Sequence, residues 1–337
     1  MHPAELPPQP FDAGAGYRAM QKQWRADAAA KPGSLWINGG VTDPVINPAD
    51  WISKPVPPRL WVADQWIPLK TATALYGDGG TGKSLVAQGL MTSCALGVPW
   101  LGRTFGYFCE DDDDELHRRQ DAINRALACD YAALEPMRLQ PRVGLDNVLM
   151  TFGSDGTGIL TPAFEDLCTE IMDHKARLAV IDTAADTFGG NENIRPQVRQ
   201  FVGHCLGKLA KMMRGAVLLL AHPSRAGLAN SEGDSGSTAW NASVRSRLYL
   251  SRPKADADEQ PDDDHRILTR KKANYAGRGV DGARNGLQAP LVGIQNPLRV
   301  GLCYREAGAV MNLVFLSGNT DQECISDCLG RGTRNDL

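Results

Sequence analysis

Residues 77–84 of the 337-residue chain read Gly77-Asp78-Gly79-Gly80-Thr81-Gly82-Lys83-Ser84. This segment fits the pattern G-x-x-x-x-G-K-[ST] at every fixed position, with an apolar run before it and an amphipathic run after it. Glycines let backbone N–H groups turn inward around phosphate oxygens, where a side chain would collide. A helix that begins at the end of the loop adds the partial positive charge of its N-terminus. The segment therefore predicts a phosphate-binding loop between a strand and a helix.

The chemistry of such a loop assigns roles to its last residues. Lys83 should reach the β- and γ-phosphates, and the Ser84 hydroxyl should ligate Mg²⁺. Nucleotide contacts are predicted for Gly77, Asp78, Gly79, Gly80, Thr81, Gly82, Lys83, Ser84 and Leu85. About 100 residues later, the apolar run Leu178-Ala179-Val180-Ile181 ends in Asp182, which is typical of the second magnesium-holding carboxylate of these sites. ATP and Mg²⁺ are the cofactors that this combination predicts.

Strand-like and helix-like segments alternate after residue 68. Strands are predicted at 71–76, 106–109, 148–152, 178–181, 217–221, 247–250 and 266–272, and helices at 82–96, 113–129, 162–175 and 196–213. Apolar strands that alternate with helices of this length predict an α/β fold with a mainly parallel central sheet covered by helices on both faces.

The two ends of the chain differ from this central part. Eleven of the 21 prolines fall in the first 68 residues. We therefore expect a Pro/Ala-rich leader at 1–45, a nucleotide-binding core at 46–278, and a C-terminal extension at 279–337 without an assigned role. Residues 16–30 have the spacing of one amphipathic helix, which is either part of a loosely ordered leader or a helix that docks on a neighbouring subunit.

Composition excludes several classes of protein. The apolar run Ala216–Ala221 is too short to span a bilayer, which needs about 20 residues, and no signal peptide is visible at the start, so we expect no membrane role and a cytoplasmic location. Eight scattered cysteines indicate reduced thiols rather than a disulfide framework. A zinc site at Cys303, Cys324 and Cys328 is the alternative, although no paired CxxC supports it.

A catalytic carboxylate is still needed, because Thr183 follows Asp182 and supplies no acid. Glu110 ends the predicted strand at 106–109, next to the loop strand. There a carboxylate can orient and deprotonate the attacking water. The acids at 112–115 are interpreted as a solvated helix N-terminus, where they favour the macrodipole. Glu110 is therefore the predicted catalytic base.

Several separated motifs resemble the RecA-fold ATPases of the RepA type, the hexameric replicative helicases of plasmids, whose pattern many phage and mobile-element ATPases share. The resemblance runs from about residue 43 to residue 275. The motifs are Tyr76–Ser84, Glu110-Asp111 with Leu116-His117-Arg118-Arg119, Val180-Ile181-Asp182-Thr183, Ala221-His222-Pro223-Ser224, Gly236-Ser237-Thr238-Ala239-Trp240, Val244-Arg245-Ser246-Arg247 and Lys272-Ala273-Asn274-Tyr275. It implies a RecA-like P-loop NTPase core, a hexameric homo-oligomeric ring, and action on single-stranded DNA in replication.

The resemblance also implies roles for single residues. Arg119 matches an arginine near the nucleotide, and His222 a sensor of the γ-phosphate. Arg245 matches an arginine finger that reaches the nucleotide of the adjacent subunit, where it neutralises charge on the transferring phosphoryl group. Lys272 is assigned to a neighbour's nucleotide. The alternatives are a satisfied histidine at a strand end for His222, a solvent-facing strand residue for Arg245, and a merely basic strand for Lys272.

Charge and loop composition bear on a DNA partner. The net charge is −3, yet residues 195–278 carry 15 Lys+Arg against 8 Asp+Glu, a local balance of +7. This is compatible with a nucleic-acid channel, and interface arginines would produce the same count. In RecA-like rings the loop at 224–237 would line the pore, with Arg225 as a candidate DNA contact, or it is an ordinary flexible loop. Binding should be independent of DNA sequence and sensitive to salt.

Three other functions compete with a helicase. The first is a DNA-stimulated ATPase that does not unwind, such as a loader or a recombination factor. The second is a nucleotide-dependent assembly or regulatory ATPase with no DNA role. A small-molecule kinase is the third, and the motifs around Glu110 and Arg245 argue against it.

Overall fold

The computed structural model describes residues 45–63, 65–97, 102–223, 238–252 and 265–275, together with the backbone of three strands after residue 286. Contacts divide the chain into two units, residues 1–58 and residues 59–337. The described part of the first unit contains a 3₁₀ turn, Pro48–Trp51, capped by the Asn47 side chain. The segment at 16–30 lies outside the described residues, and the division at 1–45, 46–278 and 279–337 stays a prediction.

The second unit alternates strands and helices, as expected. Its strands are β1 (Trp61–Ala63), β2 (Ile67–Pro68), β3 (Ala72–Gly77), β4 (Thr104–Phe108), β5 (Met137–Pro141), β6 (Met150–Phe152), β7 (Gly158–Leu160), β8 (Leu178–Asp182), β9 (Phe188–Gly189), β10 (Ala216–Ala221), β11 (Ser246–Ser251), β12 (His265–Ala273), β13 (Leu287–Pro290), β14 (Arg299–Arg305) and β15 (Val310–Leu316). Its α-helices are α1 (Lys83–Gly97), α2 (Asp113–Leu127), α3 (Pro162–Asp173), α4 (Ala184–Thr187), α5 (Arg195–Gln200), α6 (Gly207–Met212) and α7 (Thr238–Ser243).

An eight-stranded sheet forms the centre, in the order β13-β12-β11-β3-β10-β8-β4-β5. Six adjacent strands, from β11 to β5, run parallel, whereas β12 and β13 close one edge in antiparallel pairing. Every residue of β3, β4, β8 and β10 is buried, which is typical of parallel strands covered on both faces. The mainly parallel sheet predicted from the sequence is therefore present, with the loop strand β3 near its middle.

Helix α1 packs its apolar residues on one face of this sheet. Val86, Leu90 and Met91 belong to the same buried cluster as β-strand residues such as Leu75 and Leu218. Helix α2 starts after Asp112, whose carboxylate accepts a hydrogen bond from the Glu115 N–H at 2.7 Å. This cap fixes where α2 begins, four residues beyond Cys109, and so fixes the short segment that carries Glu110.

Three details differ from the sequence prediction. The strand β5 was not predicted, because only its first residue, Met137, is buried and an edge strand needs little apolar character. The strand predicted at 148–152 is present as Met150–Phe152, but it lies in a separate sheet of order β7-β6-β9 and not in the central sheet. Backbone pairing of β14 with β15 also gives regular structure to the C-terminal extension, where no periodicity was recognised.

The predicted helix at 196–213 is interrupted by a π-helical turn, Phe201–Leu206, between α5 and α6. The turn buries four of its six residues, Phe201, Val202, Cys205 and Leu206. A π turn shifts the helical register by one residue, so that this set of apolar residues faces the core together. Phe201 packs against Phe188 and Trp240, with ring centroids 5.2 and 6.0 Å away.

The described residues bear on two predictions, the absence of a membrane span and the reduced cysteines. Within those residues, no helix has both the length and the apolar character needed to cross a membrane. In the same residues Cys94, Cys109, Cys129, Cys168 and Cys205 are free thiols. Cys324 and Cys328, two residues of the alternative zinc site, lie outside the described residues.

Candidate nucleotide site

The carboxyl ends of four parallel strands meet at one edge of the sheet. Register pairs Phe108 and Leu220 with Asp182, and Ala221 with Tyr76, so that the residues that follow β3, β4, β8 and β10 lie at the same level. This edge therefore carries the loop at 77–84, Glu110, Asp182 and His222. Ligands of open α/β sheets bind in this position, outside the carboxyl ends of the strands.

The loop at 77–84 is closed around the Lys83 side chain. Lys83 Nζ donates hydrogen bonds to the carbonyl oxygens of Gly77 at 2.8 Å and Asp78 at 3.1 Å. Gly80 and Gly82 have φ angles of +69° and +89°, a conformation that glycine adopts without steric cost. Burial lowers the pKa of Lys83, and the carboxylates of Asp182, Glu110 and Asp78 oppose that shift. The lysine is therefore a desolvated cation among acids, which suits it to bind a phosphate.

His222 lies next to this lysine. Its Nδ1 atom is 3.3 Å from Lys83 Nζ, which pairs the strand end of β10 with the loop. Burial lowers the pKa of His222, and the Lys83 charge lowers it further. Because the ammonium group has only donors, Nδ1 accepts the hydrogen bond in the neutral imidazole. The predicted sensor residue is thus in contact with the predicted phosphate-binding residue.

Ser84 and Asp182 form the predicted magnesium pair. The Ser84 hydroxyl donates a 2.5 Å hydrogen bond to Asp182 Oδ2, although the two residues are 98 positions apart in sequence. Burial raises the pKa of Asp182 to about 6, the Ser84 hydrogen bond opposes this, and Asp111 and Glu110 add to the increase. A hydroxyl and a carboxylate beside two further acids are oxygen ligands of the kind that Mg²⁺ prefers. The residues present therefore fit the metal.

Glu110 is exposed and lies two residues beyond the end of β4. Its negative charge opposes the lowered pKa values of Lys83 and His222 and adds to the raised pKa of Asp182, so its carboxylate lies within electrostatic range of all three. The residue before it is anchored, since the Cys109 N–H donates to the Asp182 carbonyl at 2.6 Å. The geometry thus brings the predicted base to the lysine, the metal pair and the histidine.

Arg119, on α2, is engaged by the neighbouring acid. Its guanidinium donates to both carboxylate oxygens of Asp111 at 2.8 and 3.1 Å, and lies 3.5 Å from Gln88 Oε1. A bidentate arginine–carboxylate pair of this kind fixes the orientation of both side chains in addition to pairing their charges. Asp111, for which no role of its own was predicted from the sequence, is therefore the partner of Arg119. The role of Arg119 towards nucleotide stays a prediction.

The comparison with known families agrees with this geometry. A family model described as an AAA domain matches residues 43–227, more than half of the chain. The chain belongs to this AAA-domain family. Membership confirms the predicted α/β class, a RecA-like P-loop core with a mainly parallel sheet flanked by helices, and it supports a nucleotide-dependent ATPase. No curated protein matched the sequence.

Arg245 lies outside the region matched by the AAA-domain model and at the opposite edge of the sheet. Its N–H donates to the Ala72 carbonyl at 3.2 Å, at the start of β3, whereas Leu250 pairs with Gly77 at the other end. Leu250 is five residues after Arg245, so the backbone of Arg245 lies roughly 16 Å along the strand from the level of Gly77. The structure therefore does not bring the exposed Arg245 to the nucleotide site of its own subunit.

Lys272 is also at this amino edge, where it pairs with Arg247 across β11 and β12. Its ammonium group donates to the carbonyl oxygens of Asn241 and Ala242, in α7. Burial lowers the pKa of Lys272, and Arg245 and Arg247 lower it further. Arg245 and Lys272 are thus close to each other and distant from the loop at 77–84. Their predicted action on a neighbour's nucleotide stays a prediction.

Two further sequence predictions concern Leu85 and the loop at 224–237. Leu85 lies in the first turn of α1 and is half-buried. The proposed pore loop at 224–237, with Arg225, lies outside the described residues. Two contacts of the loop were not predicted, from Tyr249 to Asp78 and from Arg266 to Thr81. No motif marks either residue, because both reach the loop only through the sheet, in which β11 pairs with β3 and β12 pairs with β11.

Proposed function

We propose that the protein is a RecA-like ring ATPase of the RepA type, which hydrolyses ATP with Mg²⁺ and uses the energy to act on single-stranded DNA as a replicative helicase. The observation that carries the proposal is the convergence of Lys83, the Ser84–Asp182 pair, Glu110 and His222 at one edge of the sheet. Family membership supports the ATPase, and the ring, the DNA and the unwinding are the parts proposed here.

The residues at this edge divide the reaction among them. The loop N–H groups and Lys83 bind the β- and γ-phosphates, and Ser84 and Asp182 hold Mg²⁺. When bound, Mg²⁺ supplies positive charge for the phosphate oxygens. Glu110 orients the attacking water and accepts its proton. His222, in contact with Lys83, responds to the presence of the γ-phosphate.

The position of Arg245 supports assembly into a ring. An arginine that lies roughly 16 Å from its own loop and is exposed can act only on a nucleotide held by another subunit. An arginine supplied from a neighbour stabilises the charge of the transferring phosphoryl group and makes hydrolysis depend on assembly. Lys272, adjacent to Arg245, would act on the same nucleotide.

The charge distribution supports a nucleic-acid partner. Residues 195–278 have a balance of +7, although the whole chain is at −3. This segment follows β8 and includes β10, the loop after it, β11 and β12. A segment with this excess of positive charge suits a phosphate backbone, which is bound without regard to base sequence.

The proposal is tested by the rate of ATP hydrolysis with and without a single-stranded oligonucleotide, with the molecular mass measured in the same buffer. We expect DNA to raise the rate, the increase to fall steeply with added salt, and the mass to be that of a hexamer. The variant Lys83→Ala should have no rate under either condition. A forked duplex added to the same reactions tests strand separation.

The outcomes separate the competing functions. Stimulation by DNA without separation of the forked duplex selects the loader or recombination ATPase. Hydrolysis that DNA does not change, with no salt-dependent DNA binding, selects the assembly or regulatory ATPase. A wild-type protein that hydrolyses no ATP in any of these conditions contradicts the proposal as a whole.

A further inference from the structure

The side chain of the loop residue Asp78 is held by a strand on the opposite side of the loop from Asp182. The Tyr249 hydroxyl, on β11, donates a hydrogen bond to Asp78 Oδ1 at 3.2 Å. Tyr249 is buried, with 8% of its surface exposed, whereas Asp78 is exposed. An exposed carboxylate is therefore fixed by a hydroxyl that the protein interior keeps in place.

Two further contacts join the same pair of strands to the loop. A Cβ atom on Gly77 would come within 2.6 Å of the Leu250 carbonyl oxygen, so the loop begins directly against β11. Arg266, on β12, donates from Nε to the Thr81 carbonyl at 3.2 Å. Strands β11 and β12 thus contact the phosphate loop at its first residue, Gly77, and at its middle, Thr81.

The backbone and side chain of Asp78 point to different partners. Its carbonyl oxygen accepts hydrogen bonds from Lys83 Nζ at 3.1 Å and from Thr81 Oγ1 at 2.8 Å, and so faces the lysine that binds phosphate. Its carboxylate is directed to Tyr249 instead. A free carboxylate in this loop would repel the phosphates of a nucleotide, because like charges a few ångströms apart are unfavourable.

We propose that Tyr249 is a positioning residue for phosphate binding, whose hydroxyl holds the Asp78 carboxylate away from the bound nucleotide and thereby sets nucleotide affinity. The inference rests on the proposed nucleotide binding at residues 77–84. The hydroxyl is suited to this task because burial and the Asp78 charge raise the pKa of Tyr249, so the phenol keeps its proton at neutral pH. The effect concerns binding rather than the chemical step, since Tyr249 does not touch Glu110 or Asp182 in this geometry.

The test is the dissociation constant of MgADP, measured by titration calorimetry for four proteins: the wild type, Tyr249→Phe, Asp78→Asn and the double variant. Tyr249→Phe should bind MgADP about 3- to 10-fold more weakly, the loss expected for one ordinary hydrogen bond. In the double variant the carboxylate is absent, so affinity should return to that of Asp78→Asn. Tyr107→Phe is the matched control, because it removes another buried phenol hydroxyl, 3.5 Å from Asn147 Oδ1.

Each other outcome overturns the inference. Wild-type affinity in Tyr249→Phe means that the hydroxyl does not control binding. An equal loss in Tyr249→Phe and in the double variant means that the tyrosine acts through packing, independently of Asp78. A wild-type protein that binds no MgADP contradicts the proposed function instead, so the two failures are distinguishable.

Discussion

Lys83 and His222, which are 139 residues apart in sequence, approach within 3.3 Å between Nζ and Nδ1. The same ammonium group also donates to Gly77 and Asp78 of the loop. A phosphate group that binds Lys83 must compete with these acceptors, so the arrival of nucleotide changes the hydrogen bond of His222. This contact is a physical basis for a histidine that distinguishes the bound from the free site.

The variant His222→Asn should retain nucleotide binding and lose the response of hydrolysis to DNA. Asparagine still offers an acceptor to Lys83 but cannot reproduce the imidazole, so the stimulation by single-stranded DNA should fall about tenfold, in the range of a typical coupling between sites. Steady-state ATPase assays with and without DNA measure this effect. His204→Asn, an exposed histidine of the π-helical turn, should behave as wild type. Undiminished stimulation in His222→Asn removes the sensor role.

The variant Asp182→Asn should separate stability from function. Burial raises the pKa of this carboxyl to about 6, so at neutral pH the folded protein keeps a poorly solvated charge. Asparagine accepts the Ser84 hydrogen bond without that charge, and we expect the ligand-free protein to gain on the order of 1–3 kcal/mol in its free energy of unfolding. Mg²⁺-dependent ATPase should be lost. Denaturant unfolding and ATPase assays measure the two effects, and Asp166→Asn, on the exposed side of α3, should change neither. Magnesium-dependent turnover by Asp182→Asn would exclude the metal role.

Arg245→Ala should be inactive alone and regain activity in mixed assemblies. The phosphate loop and Glu110 of the Arg245→Ala subunit are intact, and an adjacent subunit that retains Arg245 can supply the missing arginine. Mixed in equal amounts with Lys83→Ala subunits, which have Arg245 but no competent loop, it should recover about a quarter of the wild-type ATPase rate, since one neighbouring pair in four has the productive order. Arg199→Ala, an exposed arginine of α5, is the control for loss of charge. Normal hydrolysis by Arg245→Ala alone rules out the finger.

His174 should make the fold sensitive to acid. It is buried, its Nε2 lies 2.8 Å from the Pro136 carbonyl, and burial, with Arg138 and Arg103 nearby, lowers its pKa below 6.5. The unfolded chain therefore takes up more protons than the folded one just below pH 6.5. The neutral, buried His174 therefore costs no stability above pH 6.5. As the pH falls below 6.5, protonation of the unfolded chain lowers the free energy of unfolding. The urea midpoint should drop between pH 7.5 and 5.5 by more in the wild type than in His174→Gln, and an equal drop in both would contradict the prediction.

The parts of the site that the sequence predicted are those with local signatures. The loop at 77–84 and the strand that ends at Asp182 are contiguous patterns, and Glu110 follows an apolar strand-like run. The prediction that this strand lies next to the loop strand is wrong, because β10 and β8 separate β4 from β3. Arg119 was predicted, but its pairing with Asp111 was not, because an acidic helix N-terminus has the same composition whether or not one acid is paired. Tyr249 and Arg266 were missed for a different reason: their contacts with the loop depend on sheet register across 171 and 185 residues.

The fold was predictable to a similar extent. The buried parallel strands are continuous apolar runs, and these were recognised. The edge strand β5 and the π-helical turn at Phe201–Leu206 were not, because both depend on tertiary contacts rather than on local periodicity.

The most direct measurement is the MgATP turnover of Glu110→Gln beside its nucleotide affinity, with Asp113→Asn, a carboxylate of the exposed first turn of α2, as the matched control. Glutamine keeps the shape of the side chain and cannot accept a proton. The variant should bind MgATP as the wild type does and lose turnover by about 100-fold or more, the usual contribution of a general base, while Asp113→Asn turns over normally. Wild-type turnover by Glu110→Gln would contradict the assignment of this edge of the sheet as the site of ATP hydrolysis with Glu110 as its base.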